Sequence, residues 1–412
     1  MRFEKKTYRR NWQRAILAGA LMSAAWLAGH AMAAPPSDSP AKPLMSDQAF
    51  KNVQVLKGIP LDDFMGTMGV MTGSLSFDCS ECHNGAGTDQ VDWAADTQRK
   101  VVARKMITMV ASLNRDNFGG RQVVTCYSCH HGRDRPLTTP TVESVYSPSP
   151  ADMDDVLAQE PGQPPAEQII DRYLRALGGA ERLANLKSFL ATGTSVGFGG
   201  FGGGAQVSVY AKAPDQRALI IDFKDTPGRG DTTRSYDGQR GWLRTPLNIL
   251  GEYELSGGEL DGARLDAELS FPGQIKQVLS KLRVSLPTTI SDLPAPSSQA
   301  SKEDNAGIGQ DRLVDVVQGV GPRDLLVTLY FDHESGLLLR MVRYTKSPIG
   351  RVPTMIDYSD YRDVAGIKMP FRMTFAWLNG RDAIRLNEVR ANVSIDPAVF
   401  GKPATRQTAG SK

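Results

Sequence analysis

The 412 residues predict an α+β multidomain chain, a small helical domain built around two cysteine motifs followed by an antiparallel β-sheet domain with packed helices. Three observations carry this prediction. All four cysteines fall into two copies of Cys-x-x-Cys-His between residues 79 and 130, each preceded by a run of helical apolar spacing. A Pro-rich stretch, residues 141–165, then reads as a linker. Beyond it the apolar period falls to two, with Asp237-Gly238 and Asn379-Gly380 as turn signals. The length exceeds one domain, and 41% apolar with 23% charged residues excludes a wholly disordered chain.

Residues 1–33 read as a secretory signal. Arg2, Lys5, Lys6, Arg9, Arg10 and Arg14 stand against Glu4, an apolar run follows from Ala15 to Gly29, and Ala31-Met32-Ala33-Ala34 supplies small residues for cleavage after Ala33. The run is shorter than the roughly 20 residues that span a bilayer. Export to the periplasm is therefore expected. Arg9-Arg10 fits a twin-arginine signal only loosely, and no cysteine follows the run to take a lipid. The net charge of +3 is concentrated in this segment, and without it the chain is slightly acidic, so no nucleic-acid partner is expected.

In an exported chain four cysteines would first be read as two disulfides. The spacing points elsewhere, because Cys79-Ser80-Glu81-Cys82-His83 and Cys126-Tyr127-Ser128-Cys129-His130 are two attachment signatures for c-type haem that leave no cysteine over. The two thiols of each motif form thioethers to the porphyrin and the adjacent histidine reaches the iron, so the short spacing is a chemical requirement. Zinc would need four ligands drawn from both motifs, and a thioredoxin-like pair has no use for the trailing histidine. Cys79, Cys82, Cys126 and Cys129 are thus expected to hold two covalent haems, with His83 and His130 as proximal iron ligands. Residues 34–140 form this dihaem c-type cytochrome domain.

Five histidines constrain the distal ligands. His30 lies in the signal, His131 is too close to His130 to reach the far face of the same iron, and His333 lies in a polar turn, Asp332 to Gly336. Methionine is the alternative. Phe64, Met68 and Met71 share one helical face before the first motif; before the second, a helix from Thr97 to Asn114 carries Val102, Met106, Met109, Val110 and Leu113 as its apolar stripe. Core packing is the competing role for these methionines.

Between Ala49 and Gly132 the chain, with Lys51-Asn52-Val53-Gln54-Val55-Leu56, Asn114-Arg115-Asp116 and Val124-Thr125 before the second motif, resembles the cytochrome c subunit of photosynthetic reaction centres. The resemblance implies a helix, a turn and a Cys-x-x-Cys-His for each haem, with the distal methionine on the preceding helix. It places the distal ligands on Met68 and Met106, with Met65 and Met109 as alternatives. That subunit carries four haems, whereas this sequence has motifs for two, which makes it a half-sized relative.

After Pro164-Pro165 a helix runs through Ile169, Ile170, Tyr173, Leu174 and Leu177 to Gly178-Gly179, and a short second helix spans Ala180 to Leu186. Residues 206–210, 217–221, 325–331 and 337–342 alternate as strands. Tyr358 to Met373 and Val393 to Pro397 resemble the LolA-like lipoprotein-carrier fold, which implies that residues 166–403 form a curved antiparallel sheet around an apolar cavity with helices on its concave side. Residues 404–412 read as a disordered tail. Gly197 to Gly202 satisfies G-x-G-x-x-G, yet a strand rather than a helix follows, so a hairpin loop is expected there instead of a dinucleotide site.

The expected function is single-electron transfer between redox protein partners by an exported dihaem cytochrome, the β domain docking a partner or binding an apolar ligand. Peripheral membrane association is compatible with it. The rivals are a peroxidase-like haem enzyme with one open iron, and a lipid- or quinone-binding protein with a redox-sensing haem domain. No catalytic residue is assigned, since no nucleophile stands near a base at a recognisable spacing. Because all the named ligands fall between residues 60 and 131, a fragment from Ala34 to about Pro140 is expected to bind both haems.

Overall fold

A computed structural model describes residues 42–88, 90–140, 158–197, 205–223, 230–245, 250–292, 310–378 and 380–404, with Val142 and Tyr146. The expected signal, most of the expected linker, residues 198–204 of the expected hairpin loop, Asn379 of the second turn signal and the expected tail beyond Ala404 lie outside the described residues.

The first part is helical, with α1 at Ser46–Ala49, α2 at Leu61–Leu75, α3 at Gln98–Phe118 and α4 at Cys126–His130. Ser76, in the left-handed region at φ 57, ends α2, and Gly119 ends α3 in the same way. Thr97 caps α3 by accepting from the Lys100 N–H. These helices meet in a small apolar cluster of Leu56, Val70, Ile107 and Ile349, the last of which comes from the β region.

Residues 166 onward fold as expected into two helices and an antiparallel sheet. Helix α5 (Ala166–Leu177) buries Ile169, Ile170, Tyr173 and Leu177, and α6 spans Ala180–Asn185. The strands are β1 Ser188–Gly197, β2 Ala205–Lys212, β3 Gln216–Asp222, β4 Asp231–Tyr236, β5 Gly241–Arg244, β6 Glu252–Glu254, β7 Ser280–Val284, β8 Thr288–Ile290, β9 Arg312–Val320, β10 Leu326–Asp332, β11 Leu338–Ser347, β12 Gly350–Val364, β13 Ile367–Trp377 and β14 Gly380–Ala391. They form one sheet in the order β6-β5-β4-β3-β2-β1-β14-β13-β12-β11-β10-β9-β7, with β8 also on β9. The pairing of β1 with β14 (Phe189 opposite Ala391) joins the two ends of this region at the middle of the sheet.

Helix α7 (Gly257–Glu268) has no apolar period in the sequence to announce it. Its glycines explain why it forms where it does: Gly258 lies against Thr345 and Gly262 against the Arg343 guanidinium, positions at which a Cβ would collide with β11. Helices α5, α7 and the short α8 (Ile275–Val278) cover the main core on one face of the sheet. Between them and the strands remains a mostly apolar cavity of about 130 Å³. The residues before α5 are tied to β7: the Gln159 side-chain oxygen accepts from the Val284 N–H, and the Glu160 N–H donates to the Val284 carbonyl, both at 2.9 Å.

Candidate haem-attachment sites

After α2 the chain turns at Ser76, and Asp78 accepts from the Ser80 N–H at 2.7 Å to start a 3₁₀ turn over Cys79–Glu81. The His83 N–H closes back on the Cys79 carbonyl at 2.9 Å. One helical turn therefore carries both thiols and sets the imidazole one place further on. Burial pushes both thiols up, helped at Cys79 by the negative charge of Asp78. His83 is half-buried, its ring centroid 5.0 Å from that of Trp93 and tilted 60° to it. Burial, then the nearby Lys100 ammonium, lowers its pKa to about 4, so the imidazole is neutral at physiological pH and its Nδ1 is buried with no hydrogen-bond partner. The Thr97 hydroxyl donates to the Cys82 carbonyl at 2.9 Å, and Lys100 Nζ holds the Trp93 and Ala95 carbonyls at 2.9 and 2.7 Å, which fixes this turn against the start of α3.

At the second motif Thr125 and Ser128 form a reciprocal capping box around α4: the Thr125 hydroxyl accepts from the Ser128 N–H at 3.3 Å and the Ser128 hydroxyl from the Thr125 N–H at 3.0 Å. The helix ends at His131 in the left-handed region. His130 Nδ1 donates to the Arg133 carbonyl at 2.9 Å, which leaves the Nε2 lone pair for a metal. The approach to this motif is clamped by Asn114, a buried residue of α3 whose amide donates to the Val124 carbonyl at 2.7 Å. Its side-chain oxygen accepts from the N–H groups of Val123 and Val124 at 3.0 and 2.9 Å. The clamp gives a structural reason for an asparagine that stood in the sequence only as part of a family resemblance.

The methionines divide by environment. On α2, Met68 and Met71 pack half-buried on the cluster that includes Cys126, whereas Met65 is exposed. Helix α2 also packs directly on α4, so the first methionine helix touches the second cysteine motif. On α3 the expected stripe is split. Ile107, Val110 and Asn114 are buried, Met106 is half-buried, and Val102, Met109 and Leu113 lie on an exposed face. Spacing alone could not separate these two faces, because both repeat at helical intervals. His131 is exposed and lies edge-on to Tyr127 at 5.3 Å. His333 is more than a free turn residue: its Nδ1 bonds to buried Asp315 at 2.9 Å, and Arg172 pairs with the same carboxylate.

The four cysteines are free thiols. Among the described residues, the large apolar side chains left exposed all lie between residues 44 and 146, apart from Leu286 and Leu313. Free thiols in pairs, an orphaned buried imidazole nitrogen and an oriented imidazole form a donor set that fits a covalently bound haem. No three His, Cys, Asp or Glu side chains among the described residues converge on a metal-ion site.

Residues 19–160 match the family of the photosynthetic reaction centre cytochrome C subunit. The "photosynthetic reaction center cytochrome c subunit" of Thermochromatium tepidum is 34% identical over 96 residues, which are 22% of each chain. The chain thus spans about 22% of the length of that curated relative. Among solved structures, the LolA superfamily protein NE2245 from Nitrosomonas europaea aligns with 58% of this chain and 99% of its own at 12% identity and a TM-score of 0.36. A DUF1329 family protein from Desulfovibrio piger aligns with 58% of this chain and 98% of its own at 11% identity and the same score. The reaction centre cytochrome match covers both cysteine motifs and the helices before them.

Proposed function

We propose that this chain is an exported c-type cytochrome that binds two covalent haems and passes single electrons between redox protein partners. The observation that carries the reading is the pair of capped helical turns, each presenting two free thiols and one imidazole, inside the segment that matches the reaction centre cytochrome family. Haem, when bound, supplies one-electron exchange at its iron.

The chain's own residues do the rest. Cys79 with Cys82, and Cys126 with Cys129, anchor the porphyrin edges. His83, kept neutral by burial and the nearby Lys100 ammonium, and His130, oriented by the Arg133 carbonyl, would offer a ring nitrogen to the iron. Met68 and Met106 are the proposed distal ligands, with Met65 and Met109 as the alternatives; the half-burial of the first pair suits ligands that exclude water. Removal of residues 1–33 and release to the periplasm complete the proposal, and the β region docks a partner or binds an apolar ligand.

A redox-titrated visible spectrum of the purified full chain, taken with and without carbon monoxide, tests this. Two covalent haems with closed iron are expected, a mass gain of one haem in Cys82→Ala, and carbon monoxide binding in Met68→Ala. Carbon monoxide binding to the unmodified protein would instead mark an open iron and a haem enzyme.

A further inference from the structure

The two cysteine motifs hang from their helices in different ways. Between α2 and the first motif lie residues 76–78, and the helix end itself closes this turn, the Ser76 and Phe77 N–H groups both donating to the Thr72 carbonyl. Between α3 and the second motif lie residues 119–125, which open on Gly119 and Gly120, both in the left-handed region at φ 62 and 79. A longer connection that starts on two glycines has more conformations to lose before the motif is placed. Asn114 bridges it. Its backbone carbonyl accepts from the N–H groups of Gly119 and Gly120, and its side chain bonds to Val123 and Val124 directly before Thr125, the residue that caps α4. Asn114 is only 8% exposed, so these bonds are made out of reach of water, and a variant that lacks them leaves their backbone partners unpaired. Gln122 also donates to the Ser347 carbonyl, which ties the middle of the connection to the sheet but not to α3. On α3 Asn114 follows Met106 and Met109, so it joins the helix that carries the candidate sulfurs to the turn that carries Cys126, Cys129 and His130.

We propose that Asn114 is a positioning residue for the second haem: it fixes how the methionines of α3 stand relative to the His130 turn, and so governs axial ligation at that iron alone. The proposal rests on the reading of both motifs as haem sites and adds the residue that sets the geometry of one of them. Asn114→Ala removes every side-chain bond of the clamp. Asn114→Asp keeps an oxygen for the Val123 and Val124 N–H groups and loses the donor to the Val124 carbonyl.

Redox titration, near-infrared spectra of the ferric protein and carbon monoxide binding, all on the matured full-length chain, test it. Asn114→Ala is expected to keep two covalent haems with one midpoint potential displaced, the band of methionine-bound ferric haem reduced to about half, and carbon monoxide taken up by about one haem in two. Asn114→Asp should fall between Asn114→Ala and the unmodified protein. The change should persist in a Cys82→Ala background, which retains the second haem, and vanish in a Cys129→Ala background, which retains the first. A lower melting temperature with potentials, band and carbon monoxide response unchanged would make Asn114 a structural clamp only and overturn the proposal, as would a change that survives in the Cys129→Ala background. Unmodified protein without covalent haem would overturn the underlying reading instead. If Asn114→Ala does not fold, the same three readouts on Asn114→Asp decide the matter.

Discussion

Asp62, in the first turn of α2, accepts from the Ser256 N–H at 2.6 Å and from the Ser256 hydroxyl at 3.1 Å, so it ties the first methionine helix to the start of α7. Its other oxygen is buried without a partner. Burial first, then the charge of Glu259, raises its pKa to about 6, and burial raises Asp382 on β14 to about 6 although the Ser195 hydroxyl donates to it at 2.5 Å. A carboxyl that titrates higher folded than unfolded makes the folded state bind more protons between those two values. Its contribution is present in full below the unfolded value of about 3.8 and is lost as the pH rises through about 6. A rise of about two pH units amounts to ~3 kcal/mol for each group. The melting temperature is therefore expected to fall between pH 4 and 7, and Asp62→Asn and Asp382→Asn should each flatten the fall, because asparagine keeps an acceptor oxygen and carries no charge. Thermal melts across that range check this, and parallel profiles in all three proteins would reject it.

At the scale of the element, α2 contains glycines that weaken an isolated helix by ~1 kcal/mol each relative to alanine. Their spacing shows what offsets the cost. A Cβ on Gly66 would stand 3.1 Å from Val352, and one on Gly73 3.0 Å from Leu378, while on Gly69 the nearest atom of Leu378 would be 4.0 Å away. The helix thus lies against the end of the sheet on a smooth face, with its methionines elsewhere on its surface. Gly69→Ala is expected to stabilise the protein by ~0.5–1 kcal/mol through helix propensity. Gly73→Val should destabilise it by ~1–3 kcal/mol through overpacking on Leu378. Denaturant unfolding of the pair measures both, and equal shifts of the same sign would mean that α2 does not seat on this face.

Across the whole molecule, the cysteine-bearing helices and the sheet share a core. Ile349, in the turn between β11 and β12, is buried with Leu56, Val70 and Ile107, and Gln122 donates to the Ser347 carbonyl at 2.9 Å. Helix α7 touches α2 near its first residue and lines the cavity with Asp266 near its last, so one element spans both regions. A fragment of residues 34–140 keeps both motifs and their local caps. Cut from the sheet, it exposes the face of α2 that covers Val352 and Leu378. It is expected to retain two haems on maturation but to lose on the order of 3–5 kcal/mol of stability, the scale of a few uncovered apolar side chains. Unfolding the fragment and the full chain by guanidinium while following haem absorbance tests this; coincident midpoints would show that the sheet lends the helices nothing.

The proposed haem attachment rests on five consecutive residues at each motif, since a thioether pair with an adjacent imidazole needs no distant partner to be recognised. The strands of β2, β3, β10 and β11 and the stripe of α5 were equally readable, since burial of one face repeats at two or at three to four residues along the chain itself. Nothing local announced α7, whose glycines follow the shape of β11, or the clamp of Asn114 on Val123 and Val124. The same holds for the seat of α2 on residues more than 270 positions away, where the pattern of one partner carries no record of the other. The split of α3 into a buried and an exposed side likewise depends on what packs against it. An arginine among the core-facing residues of β3 is visible as an oddity in the sequence; that it borders a cavity follows only from how the helices close over the sheet.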